Sequence, residues 1–169
     1  SQQRAAAAIE KGYCTEQIAP VELKTRREVK VFTTDEHPRG DTSLESLSSL
    51  RAAFAKDGAV TAGNSSGIND GAAALILSDE ASAKSGIRAP LAKIIAYGFG
   101  GVPARIMGMG PVPASQMALE RAGLKISDID VVESNEAFAA QACAVTKELG
   151  FASDIVNPNG GAIALGHPV

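Results

Sequence analysis

The sequence predicts an α/β protein. From residue 72 onward, short apolar extended stretches alternate with helix-like stretches, the pattern of a layered, mostly parallel sheet. Apolar residues at 45% and charged residues at 21% are globular values and exclude a disordered chain. Seventeen glycines with 4% aromatics and no tryptophan suit tight turns and closely packed helices. The length of 169 residues is that of about one domain.

Residues 1–11 are strong helix formers, stopped by Gly12. Val21–Lys24 and Val29–Thr33 alternate as the arms of a hairpin, with Thr25-Arg26-Arg27-Glu28 at its turn. Asp35-Glu36-His37-Pro38-Arg39-Gly40 is a polar loop, and His37 in it is read as solvent-facing. Thr42 then offers an N-cap, Glu45 completes a capping box, and Leu44, Leu47, Leu50, Arg51 and Phe54 share one helical face. Val60 to Gly71 is rich in small and turn residues. Ala72–Leu77 reads as a buried strand, and Ser78 caps a short helix, 79–85, that ends at Gly86. Leu91–Tyr97 is a second strand after Pro90, and Pro113 takes the first position of a helix running to Gly123. Asp128–Ser134 is a strand, 136–149 a helix closed by Gly150, and Ile155–Asn157 starts another strand. The first half is less regular than the second. There is no internal repeat.

The formal charge of −3 supplies no basic footprint for nucleic acid or an anionic membrane. Cys14 and Cys143 make neither a disulfide framework nor a zinc spacing, so a reducing compartment is expected. The longest apolar run, Ala72 to Leu77, falls far short of the roughly 18–20 residues of a membrane span. No basic-then-apolar leader opens the chain. It starts in helix-like sequence without Met and stops in a glycine-rich stretch, so both ends are expected to be cuts.

Three polar constellations carry chemistry. Ser65-Ser66-Gly67-Ile68-Asn69-Asp70-Gly71 lets a ligand approach the backbone, or is simply a turn. Asn135-Glu136-Ala137-Phe138 sets a polar pair where a strand meets a helix, and Asn135 reads either as a site residue or as that helix's cap. Asn157-Pro-Asn-Gly-Gly-Ala-Ile-Ala-Leu-Gly-His167-Pro168 places one histidine beyond a glycine-rich turn, and such a histidine is either structural or catalytic.

Taken together, these are not independent. Val60-Thr-Ala-Gly-Asn-Ser-Ser-Gly-Ile-Asn-Asp-Gly, Met107-Gly-Met-Gly-Pro-Val-Pro-Ala, Asn135-Glu-Ala-Phe-Ala-Ala-Gln-Ala and Asn159-Gly-Gly-Ala-Ile-Ala-Leu-Gly-His-Pro follow one another in that order. The series resembles the thiolases, the biosynthetic type most of all, over essentially the whole chain. The resemblance implies part of a layered αβαβα fold with an α+β loop-domain segment. Residues 1–67 then correspond to the later part of the loop domain that covers coenzyme A, 68–90 to a return into the N-terminal half, and 91–169 to the first part of the C-terminal half.

The implied activity is acyl transfer: two acetyl-CoA condense to acetoacetyl-CoA and coenzyme A through an acyl-cysteine, or the reverse thiolysis runs. A degradative 3-ketoacyl-CoA thiolase and a non-catalytic coenzyme A-binding fragment are the alternatives. By resemblance His167 activates the nucleophile and joins a water held by Asn135 in an oxyanion hole. That suits a neutral imidazole and a preorganised donor pair. Ser66 matches the serine on the pantetheine arm, and Arg39 the basic residue beside the adenosine end. Phe54, Met107 and Phe138 match apolar residues lining the channel and acyl pocket, though any core would also use them.

No metal and no cofactor are implied, since the coenzyme A thioester is the substrate. Acetyl-CoA and acetoacetyl-CoA are the expected partners, with no nucleic acid and no membrane. A cytoplasmic homo-oligomer, dimer or tetramer, is expected. The family's Cys-Gly-Ser-Gly and Cys-x-Gly motifs are both missing from the sequence. Cys143 is therefore read as a small buried core residue and Cys14 as incidental. The chain alone should be inactive.

Overall fold

The computed structural model describes residues 1–86 and 88–169. Helix α1 (Gln2–Glu10) forms where expected and gives way at Gly12, whose φ is 72°. The hairpin follows as β1 (Val21–Lys24) and β2 (Val29–Phe32), antiparallel, with Val21 opposite Phe32 and Lys24 opposite Val29. Thr25 makes its turn: the hydroxyl oxygen accepts the N–H of Glu28 at 3.0 Å and of Arg27 at 3.3 Å.

The helix expected beyond Thr42 is shorter and starts one residue later. In α2 (Leu44–Ser48) the cap is Ser43, which exchanges hydrogen bonds with Ser46. The hydroxyls of Ser48 and Ser49 then turn back on the carbonyls of Glu45 and Ser46, a local competition that ends the helix. Helix α3 (Glu80–Ser85) likewise takes the residue after the expected cap, with Asp79 accepting the Ser82 N–H at 2.7 Å. Its carboxyl is held below the ordinary value of 3.8, first by that backbone hydrogen bond and then by the Ser82 hydroxyl.

A 3₁₀ turn, Ala104–Met109, leads into α4 (Pro111–Ala122), so the first helical position belongs to Pro111 rather than Pro113. Helix α5 (Ala139–Leu149) begins after its cap Phe138, not at residue 136. Both helices end on left-handed glycines, Gly123 and Gly150, as expected. A short α6 (Ala162–Leu165), which periodicity does not reveal, precedes Gly166 and His167.

The core lies between α4 and α5, where Val112, Val145 and Leu149 are buried with Met109, Ile126 and Phe151 against them. Burying each such side chain contributes about 1.5–3 kcal/mol. A second contact sets α1 on α6 through Ala5, Ala8, Ala162 and Ala164, side chains small enough for close approach. Arg4 clamps α1 to the following segment through the carbonyls of Ser153 (2.9 Å) and Val156.

Four sequence expectations give way here. Ala72–Leu77 and Leu91–Tyr97 join no ladder among the described residues, and their side chains are bare: Ile76 is 100% exposed and Leu91 103%. Composition specifies that such segments be covered, but the cover must come from elements packed on both faces, and none of the described residues provides it. The 128–134 strand contracts to one parallel bridge, Val132 with Val156, closed by Val132 N–H to Ile155 O at 2.9 Å and Asn157 N–H to Val132 O at 2.8 Å. Cys143 is exposed rather than buried. It lies two residues before Val145, about 200° around the helix from that buried position. Among the described residues, no helix is long and apolar enough to cross a membrane.

Candidate active site

Asn157 builds the floor of the site. Among the described residues it is the one buried polar side chain, 2% exposed, in a left-handed conformation at φ 47°. Its Oδ1 accepts the Ser134 N–H and its Nδ2 donates to the Ser134 carbonyl, both at 2.7 Å. The bridge at Val132 and this double bond fix the chain immediately before Asn135. Glu136 then reaches the start of α6, where its carboxylate accepts the Ile163 N–H at 3.2 Å. An acceptor on the free N–H groups of a helix start is the favourable arrangement.

From the other side, Ser1 pins α6: its hydroxyl oxygen accepts from Gly161 and Ala164, each at 3.1 Å. The α6 helix ends at Gly166, with φ 93°, and the next residue is His167. The His167 N–H donates to the Gly67 carbonyl at 3.0 Å, in a parallel bridge of Ile68 with His167. Three separate stretches of sequence therefore converge on one imidazole.

There, Asn135 Nδ2 meets His167 Nε2 at 3.2 Å. With the amide N–H donating, Nε2 is the acceptor, a role an imidazole fills when its proton is on Nδ1. Asn135 does not cap α5, since Phe138 holds that position. The contact joins residues 32 positions apart. An imidazole in that form can accept a proton at Nε2 once the Asn135 amide gives way. Once charged, the imidazole carries an N–H donor beside the Asn135 amide, the kind of group that stabilises an oxyanion.

Ser66 is joined to the same structure through its backbone, with its N–H on the Ala137 carbonyl at 3.0 Å. The hydroxyl of neighbouring Ser65 is engaged by the Thr61 carbonyl at 2.8 Å. The Ser66 hydroxyl has no such partner among the described residues. Phe54 and Phe138 meet edge to face with centroids 6.4 Å apart. Phe138, Met107 and Asn135 line a cleft of about 460 Å³ between α4 and α5, a size ordinary for small-molecule sites. Gln141 reaches into the same cleft with its Oε1 buried and unpartnered among the described residues.

Arg39 stands apart. Its N–H donates to Gln2 Oε1 at 2.8 Å, while its exposed guanidinium makes no ion pair among the described residues. His37, expected to face solvent, is half-buried and bonded through Nδ1 to the Ala164 carbonyl at 2.7 Å. Asn157, Glu136 and Ser1 carry the support of the site, and sequence reasoning assigns none of them a role. A local signal exists only for Asn157, an asparagine before a Pro-Asn-Gly-Gly turn where a left-handed residue fits.

Residues 1–81 match the family described as thiolase, N-terminal domain, and residues 88–169 match thiolase, C-terminal domain. The chain is 58% identical over 169 residues to an acetyl-CoA acetyltransferase of Escherichia coli (strain K12), and 54% identical over 170 residues to the beta-ketothiolase BktB of Cupriavidus necator. Each match takes in 100% of this chain and 43% of the relative, so the chain spans less than half the length of either.

Among solved structures, it superposes on the Bacillus anthracis acetyl-CoA acetyltransferase with a TM-score of 0.95 at 50% identity, covering 100% of this chain and 43% of the other. It superposes on the human mitochondrial 3-ketoacyl-CoA thiolase in complex with CoA with a TM-score of 0.92 at 48% identity, covering 99% and 41%. The α/β architecture is the thiolase fold, and the chain belongs to the thiolase family.

Proposed function

We propose that the complete protein carrying this sequence is an acetyl-CoA acetyltransferase, condensing two acetyl-CoA to acetoacetyl-CoA or running the reverse thiolysis. The observation that carries this reading is the 3.2 Å contact of Asn135 with His167. His167 accepts the proton of the nucleophilic thiol, and together with a water held by Asn135 it supplies donors to the thioester oxygen as charge develops there. An acyl-cysteine divides the transfer into two easier steps. Neither Cys14 nor Cys143 lies in a Cys-Gly-Ser-Gly or Cys-x-Gly sequence, so the nucleophile is assigned outside residues 1–169.

Ser66 is assigned to the pantetheine arm and Arg39 to the adenosine end, with Phe54, Met107 and Phe138 along the channel and acyl pocket. Residues 1–67 are assigned to the loop domain, 68–90 to the N-terminal half and 91–169 to the C-terminal half. The bare apolar stretches 72–77 and 91–97 support burial against further thiolase-fold structure. A cytoplasmic homotetramer completes the proposal.

The deciding experiment is thiolysis by the complete protein with acetoacetyl-CoA and with a series of longer 3-ketoacyl-CoA substrates. Highest kcat/KM on acetoacetyl-CoA is expected. A maximum at long chains gives the degradative 3-ketoacyl-CoA thiolase instead, and no turnover on any of them overturns the enzyme reading.

A further inference from the structure

The His37 loop is held at both ends. The His37 N–H donates to Asp35 Oδ1 at 3.2 Å, Pro38 restricts the His37 backbone that precedes it, and the Arg39 N–H is bonded to Gln2 on α1. The ring that this loop presents reaches across 127 positions to the carbonyl of Ala164, at 2.7 Å from Nδ1. A carbonyl accepts, so Nδ1 carries the proton.

Ala164 is 0% exposed, and its carbonyl lies in the last turn of α6, where carbonyl groups have no partner within the helix. His37 supplies that partner three residues before His167. The other edge of the ring presses on Gly67: the space a Cβ would occupy there is taken by His37 Nε2. Gly67 is the residue whose carbonyl holds the His167 N–H at 3.0 Å. The imidazole thus touches both anchors of the His167 backbone, the end of α6 on one side and Gly67 on the other.

We propose that His37 is a positioning residue for His167, setting the His167 backbone by bonding the end of α6 through Nδ1 and bracing Gly67 through the opposite ring edge. The proposal rests on the thiolase reading for its effect on turnover, but not for its effect on structure. A donor at the Nδ1 position is the essential element, so His37→Asn, whose Nδ2 occupies nearly the same place, retains the bond. His37→Phe keeps the ring against Gly67 and loses the donor, and His37→Ala loses both.

In the complete protein, His37→Phe and His37→Ala are expected to lower kcat about 10- to 100-fold, the scale of a catalytic group displaced by an ångström or less. KM for the acyl-CoA should hold within about twofold, and His37→Asn should recover most of kcat. Hydrogen exchange of the His167 amide is read in parallel, with protection lost in Phe and Ala and kept in Asn. Unchanged kcat and unchanged protection in His37→Phe overturn the proposal, as does a raised KM at constant kcat, which makes His37 a ligand contact. If His37→Ala does not fold, the Phe and Asn pair decides. If the unsubstituted protein shows no thiolysis, the functional reading fails, and amide protection alone decides on His37 by the same criterion.

Discussion

Asn157 and Ser134 are joined as a backbone pair would be, although one partner is a side chain. Both polar atoms of the buried Asn157 amide close at 2.7 Å on the N–H and carbonyl of Ser134. Ser134 is the residue before Asn135, so this double bond sets where the Asn135 side chain starts. Asn157→Ala leaves a buried donor and a buried acceptor unpaired and puts alanine at a φ of 47°. The expected loss is about 2–5 kcal/mol in urea unfolding of the complete protein. Asn157→Gly removes the same hydrogen bonds without the backbone strain and should recover about 1 kcal/mol of it. Equal stability of the two variants would show that strain at this position is unimportant.

His167 and Asn135 should differ in the size of their effect on turnover. His167→Ala is expected to lower kcat by about 10²–10⁴, the range of a general acid–base group, and further if oxyanion stabilisation goes with it. Asn135→Ala should cost less, because Asn135 acts through a water rather than in the proton transfer. Steady-state kinetics on acetoacetyl-CoA measure both. A His167→Ala enzyme with near-normal turnover sinks the assignment.

Arg39 offers an exposed guanidinium that no carboxylate engages among the described residues. If it meets the phosphate or adenine end of coenzyme A, Arg39→Ala raises KM for acetyl-CoA and leaves kcat nearly unchanged, the signature of uniform binding. A fall in kcat at constant KM rejects the binding role. No change in either parameter makes Arg39 a plain surface residue.

Asp79 gives α3 a pH dependence. Its folded carboxyl titrates below the ordinary value because the charged form accepts the Ser82 N–H, with the Ser82 hydroxyl adding to it. Such a group contributes stability that is complete above its unfolded value, near 3.8, and is lost as pH falls through the lower folded value. The Ser82 amide resonance should therefore move toward its coil position in that acid window. In Asp79→Asn the amide oxygen still caps the helix and the shift with pH should vanish. A Ser82 resonance that ignores pH in the native sequence removes the cap from the account.

Residues 1–169 expressed alone should catalyse no thiolysis, because the chemistry needs a thiolate in the pocket and neither cysteine is placed to supply it. Exposed Cys143 should react readily with an alkylating reagent, and half-buried Cys14 more slowly. The bare side chains of Leu75, Ile76, Leu77 and Leu91 predict aggregation of the isolated polypeptide. Turnover that survives alkylation of both cysteines would refute the mechanism. A well-folded inactive monomer would correct only the expectation about aggregation.

The elements legible in the sequence are those whose cause is local. Gly12, Gly123 and Gly150 end their helices because the next backbone conformation is left-handed, and the Thr25 turn closes the hairpin with its own hydroxyl. The motifs around Ser66, Asn135 and His167 were legible as well, since their order along the chain is itself the signal. Cap positions slipped by one residue at Ser43 and Asp79 because adjacent polar residues compete for the same N–H groups. Strand and core assignments depended on what lies opposite. Apolar residues at 72–77 and 91–97 state a need for cover without naming the element that provides it, and Cys143 turned outward because its helix faces α4 with Val145. Only the tertiary structure brought Asn135 onto His167 and His37 under Ala164. Contacts across 32 and 127 positions depend on the relative placement of helices and loops, and local propensity carries no information about that placement.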